Sequence, residues 1–377
     1  MAEYFGKEVF KLGFGLMRLP KLEDGGMDIE QIKKMVDLFI AAGGTYFDTA
    51  YVYDGGDSER AAKAALVDRY PREAYTLATK LNARVAKDAE DARRQFTASL
   101  ERTGAGYFDY YLLHALSNVG DNYKRYADFG LWDFVREQKA KGLIKHWGFS
   151  FHGTPELLDR LLTENTDVEF IQLQINYADW ENLRVQSRAC WEVARKHGVS
   201  VTIMEPVKGG TLANPPQAVR DILTAANPDL SAAGWAIRFA ASLDGVITVL
   251  SGMSNIAQME DNLSYMRAFQ PLNADEQAVI AKAQAALSAI PSIQCTGCRY
   301  CVEGCPMSIP IPDIFSAMNQ HLIYGQTEAA RRSYAWETRE SGKASDCVAC
   351  GQCEGACPQQ LSVIEYLKQC AEVLEQG

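Results

Sequence analysis

The sequence predicts an α/β protein: a closed (β/α)8 barrel followed by a smaller, mainly α-helical domain. Three observations carry this prediction. Eight short runs rich in β-branched and aromatic residues alternate with amphipathic helical stretches between Lys11 and Asn262. Each strand-plus-helix repeat spans roughly 25–35 residues, the length of a βα unit. Beyond Pro291 the chain changes character, with closely spaced cysteines set among helical patterns.

In order, the strand runs are "FKLGFGLMRL", "TYFDTA", "AYTLATK", "FDYYLLHA", "IKHWGFS", "FIQLQINY", "VSVTIMEPV" and "VITVLSG". Between them lie helical patterns such as "DIEQIKKMVDLFIAAGG", "AEDARRQFTASLERTG" and "RVQSRACWEVARKHG". Several end in a glycine just past the last apolar turn, which is a helix C-cap signal. Eight such alternations over about 250 residues favour closure into a barrel. An open doubly wound sheet is the competing architecture, but no G-x-G-x-x-G follows the first strand. "GFG" at Gly13 continues into "LMRLP" rather than into a helix. A last helical segment, "NADEQAVIAKAQAALSAI", leads to Pro291, so the domains are expected at 1–290 and 291–377.

Composition narrows the function classes. The 377 residues are 47% hydrophobic, enough for packed cores, and carry a net charge of −10. An acidic chain with no basic face is a poor nucleic-acid binder. No run of 18 apolar residues suggests a membrane span, and "MAEYFGKEVFKLGFG" lacks a secretory apolar segment. A cytoplasmic location is the expectation, where cysteines stay reduced and can act as thiolate ligands.

Three titratable residues close consecutive strand runs: Asp48 in "YFDTA", Lys80 in "LATK" and His114 in "YLLH". A barrel places all three at its C-terminal rim, where such folds keep their chemistry. Tyr53 follows in the first rim loop. Any one of these could be a solvated loop residue; the run of three with a tyrosine argues for a site. A free tyrosine is a weak acid, a neighbouring ammonium favours its phenolate, and a carboxylate holds the ammonium in place. A neutral histidine can donate to a carbonyl oxygen and orient it. This set suits protonation of an alkoxide while hydride reaches carbon.

"FDTAYVYDGGDSE" with Asp48 and Tyr53, then "ATK" and "LLH", resembles the aldo-keto reductase superfamily from about Lys11 to Asn262. The resemblance implies an NAD(P)H-dependent oxidoreductase acting on a small carbonyl or alcohol. Tyr53 would be its general acid, Lys80 and Asp48 the tuning pair, and His114 the carbonyl orienter. It also implies a nicotinamide dinucleotide, NADP or NAD, lying extended across the barrel mouth against a set that includes Asp48. Ser150 and Gln172 fall where the family grips the carboxamide, and Met204 where an aromatic often stacks. Lys208 and Gly209 in "MEPVKGG" match the pyrophosphate loop, although a surface lysine would also explain Lys208. Gly252, Ser254, Gln258 and Asn262 in "SGMSNIAQMEDN" match the adenosine segment, where Asn255 and Gln258 stand in place of the usual basic residues. Tyr51, Tyr123 and Trp180 fall in rim loops as pocket or packing residues.

"CTGCRYCVEGCP" and "CVACGQCEGACP" both read C-x-x-C-x-x-C-x-x-x-C-P and hold eight of the ten cysteines. Three thiolates so spaced can wrap one face of a [4Fe–4S] cubane, while the fourth serves the other cluster in two-cluster proteins. Zinc is the weaker reading, because its sites use cysteine pairs. The expected sets are Cys295, Cys298, Cys301 and Cys357 for one cluster, and Cys305, Cys347, Cys350 and Cys353 for the other. The region resembles a bacterial dicluster ferredoxin. Cys190 and Cys370 read as packing residues.

Clusters carry single electrons, whereas nicotinamide gives up a pair as hydride, and no flavin-binding motif is evident. The clusters are therefore expected to lie outside the barrel's catalytic path, either bracing the fold or serving a redox partner protein. The competing class is an iron–sulfur electron-transfer or redox-sensing protein whose barrel only docks a partner.

Overall fold

The computed structural model describes residues 3–5, 7–118 and 121–376. Two compact units are present: 1–181 with 185–213 and 228–277, and 182–184 with 214–227 and 278–377. In the first, a hairpin of β1 (Glu3–Tyr4) and β2 (Lys7–Glu8) precedes eight parallel strands. These are β3 (Leu12–Gly15), β4 (Tyr46–Asp48), β5 (Thr76–Leu81), β6 (Phe108–Leu116), β7 (Ile144–Phe151), β8 (Phe170–Gln174), β9 (Ser200–Met204) and β10 (Val246–Ser251). Each pairs with the next, and β10 closes on β3. All eight strand runs of the sequence are barrel strands.

The hairpin has no counterpart among the strand signals, since its strands are only two residues long. It packs against the barrel-floor cluster that includes Val9, Tyr46, Tyr110 and Phe170. Phe5 stacks on His146 with centroids 4.2 Å apart.

Register decides what reaches the rim together. Gly15 pairs with Asp48, Lys80 with Leu112, and Ser150 with Gln172. Helices such as Ile29–Ala41 and Ala89–Thr103 cover the barrel, each started by an aspartate (Asp28, Asp88) that accepts from a backbone N–H of the first turn.

The second unit has its own core of Ile309, Ile311, Ile314, Phe315, Tyr334, Val363 and Leu367 among others. Its longer helices are Ile311–Tyr324, Thr327–Glu337 and Val363–Leu374. Cys370 is fully buried there, as Cys190 is in the barrel unit. Among the described residues no helix is long and apolar enough to cross a membrane.

Close strand packing makes one glycine critical. A Cβ at Gly148 would lie 1.9 Å from the backbone oxygen of its partner Phe170. Gly148→Ala should destabilise the protein by at least ~2 kcal/mol, read as a fall in the urea midpoint. An unchanged midpoint would refute this strand spacing.

Candidate active site

The rim loops of β3 and β4 are tied together before any catalytic group is considered. Ser58 Oγ donates to the Leu16 carbonyl at 2.8 Å and lies 2.7 Å from Thr49 Oγ1. Glu59 is completely buried, accepting from Thr79 Oγ1 at 2.8 Å and pairing with Arg102 at 3.2 Å. Arg102 also donates to the Tyr51 carbonyl at 3.0 Å. These contacts fix the ends of the short helical turn Tyr53–Gly56 that carries Tyr53.

Lys80 is buried completely at the end of β5. Its ammonium donates to Asp48 Oδ1 and, at 2.7 Å, to the Thr49 carbonyl. Asp48 Oδ2 accepts from Gln172 Nε2 at 3.2 Å. Burial pushes the Lys80 pKa down, but attraction to Asp48 and Tyr53 outweighs it, and the net direction is up. Lys80 therefore stays charged.

Its Nζ lies 4.9 Å from the Tyr53 ring centroid, and the Tyr53 and His114 rings meet edge to face at 5.7 Å. Burial raises the Tyr53 pKa and Lys80 pulls it down, with burial the larger effect. The net shift is thus opposite to the lowering expected from the lysine alone, and the phenol rests protonated. Burial, with Lys80, His152 and Arg84 adding repulsion, holds the His114 pKa well below its ordinary value. His114 is neutral, and its buried Nδ1 has no hydrogen-bond partner among the described residues.

A cavity of about 570 Å³ is lined by Asp48, Tyr53, Gln172 and Met204 among others. Gly209, Gly252, Ser254, Gln258 and Asn262 also line it. Ser150 lies behind this wall, its Oγ accepting from Ala115 N–H at 2.7 Å. Lys208 does not line the cavity and is paired with buried Asp179 at 2.5 Å. Asn255 and Gln258 are engaged locally: Asn255 Oδ1 accepts from Gln258 N–H at 2.9 Å, and Gln258 Oε1 from Ser254 N–H at 2.7 Å. Tyr51 stacks under Arg102, Tyr123 under Arg160, and Trp180 packs on Trp191 and Phe239. None of the three lines the cavity.

In the second unit the cysteines gather across the two motifs. Cys295, Cys298 and Cys301 line one small cavity with Cys357, and Cys347, Cys350 and Cys353 line another with Cys305. Among the described residues no three cysteine, histidine or acidic side chains converge as they would on a single ion. Four sulfurs spread around a cavity suit a polynuclear cluster instead.

Residues 11–285 match the aldo/keto reductase family, which covers most of the chain. The protein belongs to the aldo/keto reductase family. Residues 294–361 match the 4Fe-4S dicluster domain. This aldo/keto reductase is similar to the uncharacterized oxidoreductase YqkF of Bacillus subtilis (strain 168), 24% identical over 286 residues, 68% of this chain and 87% of that one. Similar solved structures include aldo-keto reductase AKR11C1 from Bacillus halodurans in its holo form. Its identity is 24% and its TM-score 0.57, with 74% of this chain and 93% of that chain covered. Another is an aldo/keto reductase from Klebsiella pneumoniae in complex with NADP and acetate. There the identity is 20% and the TM-score 0.60, with 73% and 91% covered. At these identities the structural likeness speaks for the fold, and the family match makes the protein an oxidoreductase.

Two residues of this aldo/keto reductase escaped the sequence reading. Arg18, just past β3, is the cavity's one lining cation among the described residues and pairs with Glu205 at 3.4 Å. Its place in a rim loop was a usable signal. Glu59 had none, because its role depends on burial.

His114 sets a pH dependence. Its folded pKa is depressed, so below about pH 6.5 the unfolded chain binds a proton that the folded one does not. Stability is full above that pH and falls below it. His114→Gln should flatten the acid limb of the stability curve by about 1.4 kcal/mol per pH unit, measured by urea unfolding between pH 6.5 and 5. Equal slopes would contradict a neutral His114.

Proposed function

We propose that this aldo/keto reductase interconverts a small aldehyde or ketone and its alcohol with NADP or NAD, and carries two [4Fe–4S] clusters. The observation that carries the reading is the meeting of Tyr53 with the Lys80–Asp48 pair and with neutral His114, where Tyr53 and Asp48 line the cavity and Lys80 and His114 stand against them without lining it. The cavity's volume and the glycines in its wall, Gly15, Gly209, Gly210 and Gly252, support a dinucleotide there. The complex of the Klebsiella pneumoniae relative with NADP and acetate agrees with it.

When bound, the dinucleotide supplies or accepts the hydride. Gln172, with Met204 beside it, would hold the nicotinamide end, Arg18 and Gly209 the pyrophosphate, and Gly252, Ser254 and Asn262 the adenosine end. His114 orients the carbonyl by donating a hydrogen bond to its oxygen. Tyr53 Oη delivers the proton that the oxygen needs as negative charge builds on it. Lys80 stabilises the phenolate left behind, and Asp48 keeps Lys80 aimed and charged. In alcohol oxidation the same groups act in reverse. The proton path needs no iron.

The two cysteine cavities support the exchange of fourth ligands expected from the sequence: Cys357 would join Cys295, Cys298 and Cys301, and Cys305 would join Cys347, Cys350 and Cys353. When bound, the clusters would supply one-electron chemistry or brace the 291–377 domain, with 1–290 as the barrel domain. A redox partner protein is their natural correspondent, and a reducing, cytoplasmic setting suits their thiolates.

Tyr53→Phe should lower turnover ~10²–10⁴-fold and leave dinucleotide affinity unchanged, as read with NADPH, NADH and a panel of small aldehydes. Near-normal turnover would sink the assignment of Tyr53. Cys305→Ser should perturb the cluster built mainly on Cys347, Cys350 and Cys353. Iron counts and spectra altered only at the other cluster would overturn the exchange.

A further inference from the structure

Aligned from their first cysteines, the two motifs run in one register: Arg299 answers Gly351, Val302 answers Glu354, and Asp313 answers Glu365. The backbone repeats with them. The residue after the second cysteine has positive φ in both, 66° at Arg299 and 78° at Gly351. Ser308 and Gln360, also aligned, share values of 51° and 52°. Glycine accepts such a conformation freely and arginine does not. A residue that breaks a local rule in only one of two repeats calls for a reason.

Its contacts supply one. Arg299 Nη1 donates to Asp313 Oδ2 at 2.7 Å. The other oxygen accepts from Arg184 Nη2 at 2.6 Å, while Arg184 Nη1 donates to the Pro312 carbonyl at 2.8 Å. Arg184 belongs to the same compact unit. Its Cγ lies 3.0 Å from where a Cβ on Gly297 would be, between Cys295 and Cys298. Pro312 lines the cavity of those cysteines. Two guanidiniums thus meet on Asp313 beside the first cavity, one from the residue next to Cys298 and one against Gly297, without lining the cavity themselves, and Glu337 shares their field.

The second motif has no such pair of guanidiniums among the described residues. Gly351 replaces Arg299 and Glu354 replaces Val302, directly after the ligand Cys353. Glu354 accepts from Ile364 N–H at 3.0 Å, and Glu365 from Gln369 Nε2 at 3.4 Å. Neither these carboxylates nor Asp346 makes an ion pair among the described residues.

We propose that the two clusters are poised at different potentials, the one on Cys295, Cys298, Cys301 and Cys357 being the easier to reduce. Reduction adds negative charge, which a nearby guanidinium stabilises and an unpaired carboxylate opposes. An electron from an external one-electron donor that reaches the cluster on Cys305, Cys347, Cys350 and Cys353 then passes to the other. The cluster on Cys305, Cys347, Cys350 and Cys353 would be oxidised by one electron as that on Cys295, Cys298, Cys301 and Cys357 is reduced by one, with no bond or proton exchanged. The inference rests on the two-cluster reading above.

The test is an anaerobic titration of the intact, cluster-loaded protein with dithionite and mediators, following each reduced cluster by EPR. The wild type should show two resolved midpoints. Arg299→Gly suits the positive φ, as Gly351 does, and should lower only the higher midpoint. A tenfold loss in its reduction equilibrium reads as about 59 mV for one electron. Glu354→Gln, which keeps an acceptor for Ile364, should raise only the lower midpoint. Coincident wild-type midpoints, or an Arg299→Gly that moves neither midpoint or the lower one, overturn the inference alone. Iron analysis below two clusters per chain overturns the cluster reading and this inference together.

Discussion

A single buried charge organises the barrel's mouth. An ammonium with no exposure at the end of β5 is tolerable only if its charge and its three donors are answered. Asp48 answers the charge, the Thr49 carbonyl takes a further hydrogen, and Tyr53 lies within its field. The answer must come from β4, because register sets the end of β4 beside that of β5. Gln172, four strands further round, then holds the second oxygen of Asp48. The same cation helps to keep His114 neutral. One positive charge therefore acts on its carboxylate partner, a phenol and an imidazole together, with burial the larger effect at each.

That arrangement is bought with an outer layer that does no chemistry. Buried Glu59 joins Thr79 on β5 to Arg102 on the neighbouring helix, and Arg102 reaches the Tyr51 carbonyl. The loop holding Tyr53 is thereby anchored on both sides, although Asp54 and Gly55 within it adopt positive φ. Rigid support under a strained turn is how a folded chain keeps a proton donor within a fixed distance of its tuning cation.

The cysteine unit shows the complementary case, in which a repeated local pattern fixes geometry and the differences between repeats carry the chemistry. Both motifs adopt the same turn, since the same sulfur spacing and the same positive-φ position recur. Cysteines of one motif line the other's cavity, Cys357 with Cys295, Cys298 and Cys301, and Cys305 with Cys347, Cys350 and Cys353. The unit's apolar core is small, and ligation by shared fourth cysteines would add the cross-links that such a core lacks.

Local patterns in the chain determined a good deal by themselves. Strand runs of five or more residues, helices with glycine stops, and cysteine triplets are short-range signals. The eight barrel strands, Asp48, Tyr53, Lys80 and His114 at the rim, and the two cysteine motifs were legible for that reason. The hairpin at the barrel floor was not, since two-residue strands leave no periodicity to read. Only the tertiary structure decided that Lys208 turns to Asp179 while Arg18 enters the cavity, because a long cation goes to whichever carboxylate or groove the fold brings near. It alone decided that burial outweighs Lys80 at Tyr53, and that Arg184 joins Arg299 on Asp313. Burial and field are sums over neighbours distant in sequence, and no local pattern contains them.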